Sequence, residues 1–481
     1  MHTRTKEFVQ FRDRLYNFFP RRADATMNLI DAISGNTSAR SVAELSLNPL
    51  FEREYPSLYN AVQNFFVPTD PEHSKSERDR HQIEIMRIIS QLCPHPQDRS
   101  FWLLGLDVTP APRPFSPSLE DRSIVYYPNP APGNNPIAVG HQYSTLAVLP
   151  EKKGADIPPW VIPLSVRRVP TGQKGTATGA DQLAALLGDD QLPFGKSLCV
   201  STCDSAYGAV TFVSKAADHQ NSVVISRARG NRSFYRSPEK PTANIGHPVW
   251  YGERFSLKNP TTWHEIDRSA STTYTTKAGR ECHVQIAAWD NMLMKGKKGI
   301  PMHKYPFTLI RITVTDVHGN PVFKRPLWLI VVGKRRSEID LVEAWQAYSQ
   351  RYDVEHFFRF GKARCLMNSY QTPEVEHEEN WYEIAALAYA QLWAAATLAV
   401  TVPRPWERYR PISTDPRTLP GPAMVQRDFG RITRQFGTPA ASPKPRGKSL
   451  GREKGYSPGK RTRQPIIFKG TKTGSTLAGN G

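Results

Sequence analysis

The sequence has few of the features that mark secreted or disulfide-stapled proteins. Only five cysteines occur among 481 residues, too few and too scattered for a disulfide framework. Cys199 and Cys203 lie four apart with no second Cys or His pair nearby, which disfavours a zinc site. The first seven residues contain no apolar core of a signal peptide. These absences predict a protein of the reducing cytosol.

Long apolar runs are also scarce, and one segment alone approaches the length of a membrane span. Residues 384–403 are almost wholly apolar, broken by Gln391 and a few threonines. A membrane helix and a buried core helix are both compatible with this run. Its alanine richness and the charged approach over residues 374–383 favour a helix packed inside a soluble core, so no membrane partner is expected.

Acidic residues are the minority charge. The chain has 63 Lys and Arg against 44 Asp and Glu, a net charge of +19, and this balance favours a nucleic acid as partner. The alternative is a basic protein with a solubilising tail. Residues 404–481 hold 17 Lys and Arg against 4 Asp and Glu among Pro, Gly and Ser. This composition predicts a largely disordered tail that binds DNA through phosphates without reading sequence.

Four side chains suited to phosphate chemistry recur along one predicted helix. Tyr348, Arg351, Glu355 and Lys362 lie at relative positions 0, 3, 7 and 14. At 100° per residue they fall at about 0°, −60°, −20° and −40° on a helical wheel, so all four share one stripe. A carboxylate among cations suits a phosphodiester substrate. Such a stripe is equally compatible with an ordinary solvated face, so the interpretation depends on partner carboxylates upstream.

Two such carboxylates follow short apolar runs. Asp107 closes the run that begins at Phe101, and Asp204 closes the run that begins at Leu198. Both patterns are typical of a buried strand that delivers its last side chain to a sheet edge. With Glu355 these aspartates form an oxygen-rich set for two Mg²⁺ ions, or for Mn²⁺ in their place. A pair of ions roughly 3.5–4 Å apart activates an attacking oxygen and stabilises a leaving one.

At these residues the chain resembles the insertion-sequence transposases of the DDE type, in the group marked by Tyr-x2-Arg-x3-Glu-x6-Lys. That motif matches Tyr348, Arg351, Glu355 and Lys362, and the segment 204–207 is similar to the group's second catalytic motif. Asp107 matches the first. The separations of 97 and 151 residues between successive acids also fit, because the group carries a β-rich insertion before the Glu. The resemblance covers about residues 1–400 and implies a ribonuclease H-like catalytic core.

The resemblance also implies roles for individual residues. Asp107, Asp204 and Glu355 would be the catalytic acids and the metal ligands, so no covalent intermediate on Tyr348 is expected. Arg351 and Lys362 would hold phosphates near the cut, and Tyr348 would hydrogen-bond or stack beside the terminal nucleotides. The predicted DNA contacts are completed by three further residues, Tyr207, Arg335 and Arg336.

The expected fold class is α/β, with a ribonuclease H-like mixed sheet, a helical N-terminal domain, a β-rich insertion and a disordered basic tail. The expected division is a helical, possibly DNA-binding domain at 1–95, the first part of the core at 96–228, the insertion at 229–325, the second part of the core at 326–403 and the tail at 404–481. In the first domain, the stretch Ser38–Leu47 and the segment from Tyr59 form a candidate helix-turn-helix for transposon ends.

Two features of the insertion carry alternatives. The cluster Lys295-Gly-Lys-Lys298 is compatible with a loop that tracks the DNA backbone, and with a solvated loop of no specific role. Asp316 lies in the sequence Asp-Val-His-Gly-Asn, which is typical of a hairpin turn. We therefore expect Asp316 to be a turn residue and not a catalytic acid.

The function expected from these observations is DNA transposition. The partners would be the terminal inverted repeats of a mobile element and the target DNA, bound by a dimer in the bacterial cytoplasm at the nucleoid. Two other functions remain open. A metal-dependent nuclease would cut DNA without strand transfer, and a transposase-derived DNA-binding protein would bind without catalysis.

Overall fold

The computed structural model of the protein describes residues 2–127, 136–152, 157–238, 249–276, 278–402, 404–407, 419–445, 451, 453–457 and 459–468. The helices within these residues are α1 (His2–Phe18), α2 (Ala23–Ser34), α3 (Tyr55–Asn64), α4 (Ser74–Ser90), α5 (Gly175–Gly188), α6 (Val210–Asp218), α7 (Leu341–Gln350), α8 (Tyr352–Arg364), α9 (Val375–Thr401) and α10 (Pro422–Phe436). The strands are β1 (Trp102–Pro112), β2 (Ser123–Tyr126), β3 (Ile137–Val148), β4 (Ile162–Arg168), β5 (Cys199–Cys203), β6 (Ser222–Arg227), β7 (Ser233–Tyr235), β8 (Arg254–Ser256), β9 (Arg268–Thr275), β10 (Glu281–Met292), β11 (Phe307–Asp316) and β12 (Leu327–Val332).

A ten-stranded sheet organises the molecule. Its strand order is β2-β3-β1-β5-β6-β12-β11-β10-β9, and β4 pairs with β3. Strand β5 runs parallel to β1 and β6, whereas β3 is antiparallel to β1 and β4. Three antiparallel strands, followed by two that run parallel to the first, are consistent with a ribonuclease H-like core. The predicted fold class is confirmed.

Strand β1 is apolar along both faces because helices cover both. A side chain at Gly105 would meet Val354 of α8, whereas the next residue, Leu106, lies against Gly179 of α5. Successive strand residues point to opposite faces, so α8 and α5 lie on opposite sides of the sheet. A strand buried on both faces reads as the continuous hydrophobic run seen in the sequence.

The segment 229–325 is rich in β-structure, as predicted. It contains β7 and β8, which form a two-stranded sheet, and β9, β10 and β11, which extend the main sheet outward from β12. Asp316 is a turn residue, since its Oδ1 accepts the backbone N–H groups of His318 and Asn320.

The N-terminal helices form a helical layer with α9. The buried Arg12 of α1 donates to Asp31 of α2 at 2.7 and 2.8 Å and to Gln391 of α9 at 3.3 Å. The candidate helix-turn-helix is not formed as expected, because residues Ala43–Leu47 are a short 3₁₀ helix. The assignment of residues 1–95 as a separate DNA-binding domain stays a prediction.

Helix α9 explains the long apolar run of the sequence. By length and composition it could cross a membrane, but 72% of its most apolar window is buried inside the protein. Its charged residues are paired within the fold: Glu378 lies 3.0 Å from Arg113, and Glu383 lies 3.3 Å from Arg78. The expectation of a core helix is confirmed.

The expectation of a disordered tail is wrong for residues 422–436. They form α10, which packs against α9 and buries Val425, Phe429 and Ile432 completely. These three apolar residues recur with helical spacing on one face of α10, while the opposite face is basic and polar. The rest of the predicted tail up to residue 418, apart from 404–407, lies outside the described residues.

A second part of the tail lies against the segment that precedes the edge strand β2 and reaches the first residue of that strand, Ser123. We call residues 459–468 the C-terminal strap. The backbone N–H of Gln464 donates to Pro117 O at 3.0 Å, and that of Ile467 donates to Arg122 O at 2.8 Å. Arg461 forms an ion pair with Glu374 at 3.0 Å. The strap therefore covers an edge of the sheet in an extended conformation.

Candidate active site

Asp107 and Asp204 are brought side by side by two parallel strands. In the register of β1 and β5, Leu106 pairs with Cys203, so the aspartates that follow them lie at the same level. Neighbouring strands are about 4.8 Å apart. Each carboxylate is fixed locally, because Asp107 Oδ1 accepts the N–H of Val108 at 2.8 Å and Asp204 Oδ1 accepts the N–H of Ala206 at 2.8 Å.

Glu355 joins this pair from α8. An arginine links it to Asp107: Arg351 Nη2 lies 2.8 Å from Glu355 Oε1, and Arg351 Nη1 lies 3.2 Å from Asp107 Oδ2. The three acids come from β1, from the end of β5 and from α8, as the sequence predicted. All three border one cleft.

The single helix predicted for residues 348–362 is wrong in one respect. Helix α7 ends at Gln350 and α8 begins at Tyr352, with Arg351 at the junction in right-handed helical geometry. Tyr348 therefore lies on α7 and Glu355 on α8. The ring centroid of Tyr348 still lies 5.8 Å from the Arg351 guanidinium, and its side chain is buried. The motif stays together in space, but not as one unbroken stripe.

The site carries an excess of negative charge close to Asp107. The pKa of Asp107 is raised to about 6, chiefly by burial and to a smaller extent by the neighbouring charges of Asp204 and Glu355. The Arg351 guanidinium and the N–H of Val108 act in the opposite direction without cancelling the rise. A group of acids held this closely favours a bound cation.

The chemistry of the acids fits Mg²⁺ or Mn²⁺, since both prefer carboxylate oxygens. Within the described ranges, no three His, Cys, Asp or Glu side chains are grouped so that they could hold one ion as they stand. The guanidinium of Arg351 supplies the positive charge between Asp107 and Glu355 in this structure. Asp107, Asp204 and Glu355 are therefore the residues that would hold divalent ions, after Arg351 has moved.

The cleft around the acids has a volume of about 1080 Å³ and basic walls. Its cationic lining residues come from three separate segments and are Lys174, Arg229, Arg232, Lys295 and Lys297. Sequence reasoning missed the first three. Lys174 precedes α5, whose N-terminus also borders the cleft, and the loop after β6 supplies the two arginines. A helix N-terminus carries partial positive charge and adds to this attraction for anions.

The sequence left open whether the cluster at residues 295–298 is a loop near the DNA or a solvated loop of no specific role. Lys295 and Lys297 border the cleft and are not in a remote loop. The segment is held there by backbone hydrogen bonds between Leu293 and Tyr235, at 2.7 and 2.9 Å, and by the N–H of Gly296, which donates to the Tyr251 hydroxyl. The two arginines of the opposite segment are also fixed, since Arg232 donates to Gly208 O at 2.7 Å and Arg229 to Ser205 Oγ at 3.3 Å.

Lys362 lies on α8, two turns beyond Glu355, and is half-buried. Burial lowers the pKa of Lys362 to about 8, while the charge of Asp107 acts in the opposite direction. The lysine is thus close enough to sense the acids. Its ammonium group is available for a phosphate only while it stays protonated.

Tyr207 borders the cleft but is almost completely buried, so little of its side chain is open to a contact with DNA. Its side chain is 2% exposed and packs edge-to-face on Phe212, with a centroid distance of 4.8 Å. The ring also lies against Gly179, where an added Cβ would approach it to 2.9 Å. The predicted contact of Tyr207 with DNA stays a prediction.

Arg335 and Arg336 lie away from the acids and are not among the described residues that border the cleft, so their predicted contact with DNA stays a prediction. Strand β12 is antiparallel to β6 and ends beside Val224, near the start of β6. Burial raises the pKa of the Cys199 thiol to about 12, and Arg335, which lies nearby, acts against this rise. Cys199 begins β5, whereas Asp204 follows its other end. Arg335 pairs with Glu338, and Arg336 donates to Asn291.

The comparison with known proteins agrees with this site. A family model described as DDE superfamily endonuclease matches residues 14–295, more than half of the chain. The match includes Asp107 and Asp204 and ends before Glu355. A search of curated proteins found no match. On the extent of the family match, the chain belongs to the DDE superfamily of endonucleases.

Proposed function

We propose that the protein is a DNA transposase that cuts the ends of an insertion sequence and joins the freed 3′-OH to target DNA. The observation that carries this proposal is the meeting of Asp107, Asp204 and Glu355 in one cleft with cationic walls. Family membership makes the protein an enzyme of the nuclease and transposase type. The spacing of Tyr348, Arg351, Glu355 and Lys362 supports the finer assignment to the Tyr-Arg-Glu-Lys group of transposases.

The proposed metal ligands are the three acids. Two Mg²⁺ ions, or Mn²⁺ in their place, would supply Lewis-acid chemistry at the attacking and the leaving oxygen of an in-line displacement. The protein residues provide the geometry: β1 and β5 place the two aspartates, and α8 places Glu355 opposite them. Cleavage and joining would both be in-line displacements at a phosphodiester: water attacks the element end in the first, and the freed 3′-OH attacks the target DNA in the second. Each step forms one bond to phosphorus and breaks another, so one site would serve both.

The cations of the cleft would hold the DNA. Lys174 lies on the side of α5, Arg229 and Arg232 on the loop after β6, and Lys295 and Lys297 on the insertion. Each contact with a phosphate neutralises charge and makes binding weaken with salt, without selecting a sequence. Arg351 and Lys362 would bind phosphates next to the cut, and Tyr348 would hydrogen-bond or stack beside the terminal nucleotides.

The partners would be the terminal inverted repeats of the element and a target DNA. Synapsis of two ends would pair two protomers, so a dimer on DNA is part of the proposal. The place of action would be the bacterial cytoplasm, where the nucleoid lies.

The test is an in vitro assay with purified protein, Mg²⁺, a labelled fragment with the element's own flanking repeats, and a supercoiled target plasmid. Wild type is expected to give joined product, and Glu355→Gln is expected to give none while it still binds the fragment. Asp316→Asn is the matched control, because that carboxylate lies in a turn and its loss should leave joining intact. EDTA should abolish joining in every variant.

Other outcomes would assign other functions. Cleavage without joining by wild type, lost in Glu355→Gln, would establish a metal-dependent nuclease. Bound and intact DNA with both proteins would establish a DNA-binding protein without catalysis. Joining that survives Glu355→Gln would remove this glutamate from the site.

A further inference from the structure

Arg351 occupies a position inside the group of acids and not on its rim. Its two terminal nitrogens reach two different carboxylates, Asp107 Oδ2 at 3.2 Å and Glu355 Oε1 at 2.8 Å. The residue is 8% exposed. A guanidinium between two carboxylates forms charge-assisted hydrogen bonds, which are stronger than hydrogen bonds between neutral groups.

The surroundings of Arg351 hold it in this position. Its backbone joins α7 to α8, so neither end of the residue is in a mobile loop. The rings of Tyr348 and Tyr352 lie on the guanidinium, with centroids at 5.8 and 5.7 Å. Tyr348 is buried, whereas Tyr352 is 61% exposed and lies toward solvent. An arginine between these rings can move toward solvent and keep an aromatic contact.

The oxygens of Asp107 are both engaged in this arrangement. Oδ1 accepts the N–H of Val108 at 2.8 Å, and Oδ2 accepts Arg351. A divalent ion bound by Asp107 and Glu355 would share these two carboxylates with Arg351. The guanidinium and the ion would also repel each other at such a distance. Arg351 and the ion therefore compete for the same pair of acids.

The acids do not depend on Arg351 for their placement. Asp107 and Asp204 are fixed by the register of β1 and β5, and α8 is seated on β1 through the contact of Val354 with Gly105. Removal of the arginine would leave three neighbouring carboxylates with less compensating charge. Such a site binds cations more tightly.

We propose that Arg351 is a positioning residue that takes the place of the metal in the metal-free protein, and that divalent cations must displace it. This inference rests on the proposed function, since it takes the three acids as the metal ligands. Displacement frees the guanidinium for a phosphate of the DNA. Metal loading and DNA binding are then coupled through one side chain.

The experiment measures Mn²⁺ binding to full-length protein without DNA, by electron paramagnetic resonance of the free ion. Arg351→Ala is expected to bind Mn²⁺ at least about tenfold more tightly than wild type, because the competing charge is gone. Arg351→Lys keeps a charge and loses the fork, and it should lie between the two. Arg364→Ala, an exposed arginine at the end of α8, is the matched control and should equal wild type.

Thermal unfolding gives a second readout and shows whether each variant folds. Mn²⁺ should raise the Tm of Arg351→Ala more than that of wild type, because stabilisation of the native state grows with the logarithm of the ion's affinity. Equal or weaker Mn²⁺ binding by folded Arg351→Ala would overturn the inference. If Arg351→Ala does not fold, Arg351→Lys with wild-type affinity has the same meaning.

Glu355→Gln separates this inference from the proposed function. If it binds Mn²⁺ as wild type does, the acids are not the metal ligands, and the proposed function fails together with the inference. If Glu355→Gln loses Mn²⁺ binding and Arg351→Ala does not gain it, the inference alone fails.

Discussion

Lys362 has a pKa that lies near the pH at which the protein would work. The pKa is lowered to about 8 by burial, so the ammonium group loses its proton as the pH rises through this value. We expect DNA binding in EDTA to weaken between pH 7 and pH 9, because a neutral amine no longer neutralises a phosphate. The slope of log K against log salt should fall by about 0.9 over this range. Salt titrations by fluorescence anisotropy at both pH values measure it.

Two substitutions at the same position serve as controls. Lys362→Arg stays protonated and should show the steeper slope at both pH values. Lys362→Met carries no charge and should show the shallower slope at both. The same pH dependence in all three proteins would assign the titration to another group.

The three acids could be found from the sequence because each is defined by local signals. Asp107 and Asp204 each close an apolar run, and Glu355 lies in a motif of fixed spacing. The cations of the cleft carry no such signal. Lys174, Arg229 and Arg232 come from separate loops, and only the fold brings them to one surface.

At the scale of elements, β1 and α8 pack closely against each other at the site. An added Cβ at Gly105 would lie 2.5 Å from Val354 Cγ2, which is closer than two carbon atoms can approach. Gly105→Ala should therefore push α8 away from β1 and move Glu355 relative to Asp107. A displacement of about 1 Å lowers the rate about 100-fold. The assay is the rate of end cleavage, with binding of the end fragment expected to be unchanged.

A second substitution tests the reason for that loss. Val354→Ala removes the methyl groups that the new Cβ would meet, so Gly105→Ala combined with Val354→Ala should recover most of the rate. Val354→Ala alone measures the cost of the cavity. A double variant as slow as Gly105→Ala would show that the loss has a cause other than this contact.

The direction of β12 in the sheet could not be predicted from the sequence. Arg335 and Arg336 precede α7 by a few residues, and this proximity suggested a place near the site. Strand β12 is antiparallel to β6, so β12 ends on the side of the sheet opposite to the acids. The ten residues of α7 then bring the chain back to the side of the acids. Proximity along a chain does not say at which end of a sheet a residue lies.

At the scale of the whole molecule, the tail helix α10 is part of the folded protein. Phe429 is fully buried and lies against Phe8 of α1, with ring centroids 6.3 Å apart. Phe429→Ala should lower the free energy of unfolding by about 3–5 kcal/mol. Met424→Ala, at a 45% exposed position of the same helix, should change it by less than about 0.5 kcal/mol. Urea denaturation of the two variants makes the comparison, and equal stability would show that α10 does not pack.

The composition of the tail hid this helix. Residues 404–481 are rich in Pro, Gly and basic residues, and this average outweighed the helical spacing of Val425, Phe429 and Ile432. Whether these three residues are buried depends on the packing of α10 against α9, which cannot be inferred from the tail sequence alone. By contrast, the two runs that end at Asp107 and Asp204 could be recognised as strands from the sequence, because a strand covered on both faces is a continuous apolar run.

The C-terminal strap has a consequence for how two protomers can meet. An uncovered edge strand exposes a row of backbone groups to which another copy can add its own strand. Just before β2, the carbonyl groups of Pro117 and Arg122 already accept hydrogen bonds from Gln464 and Ile467 of the same chain, and Ile467 forms a β-bridge with Ser123, the first residue of β2. The strap thus hinders edge-to-edge pairing of this sheet with the sheet of another copy at the start of β2. We therefore expect protein trimmed of residues 459–468 to aggregate more readily than the full-length chain.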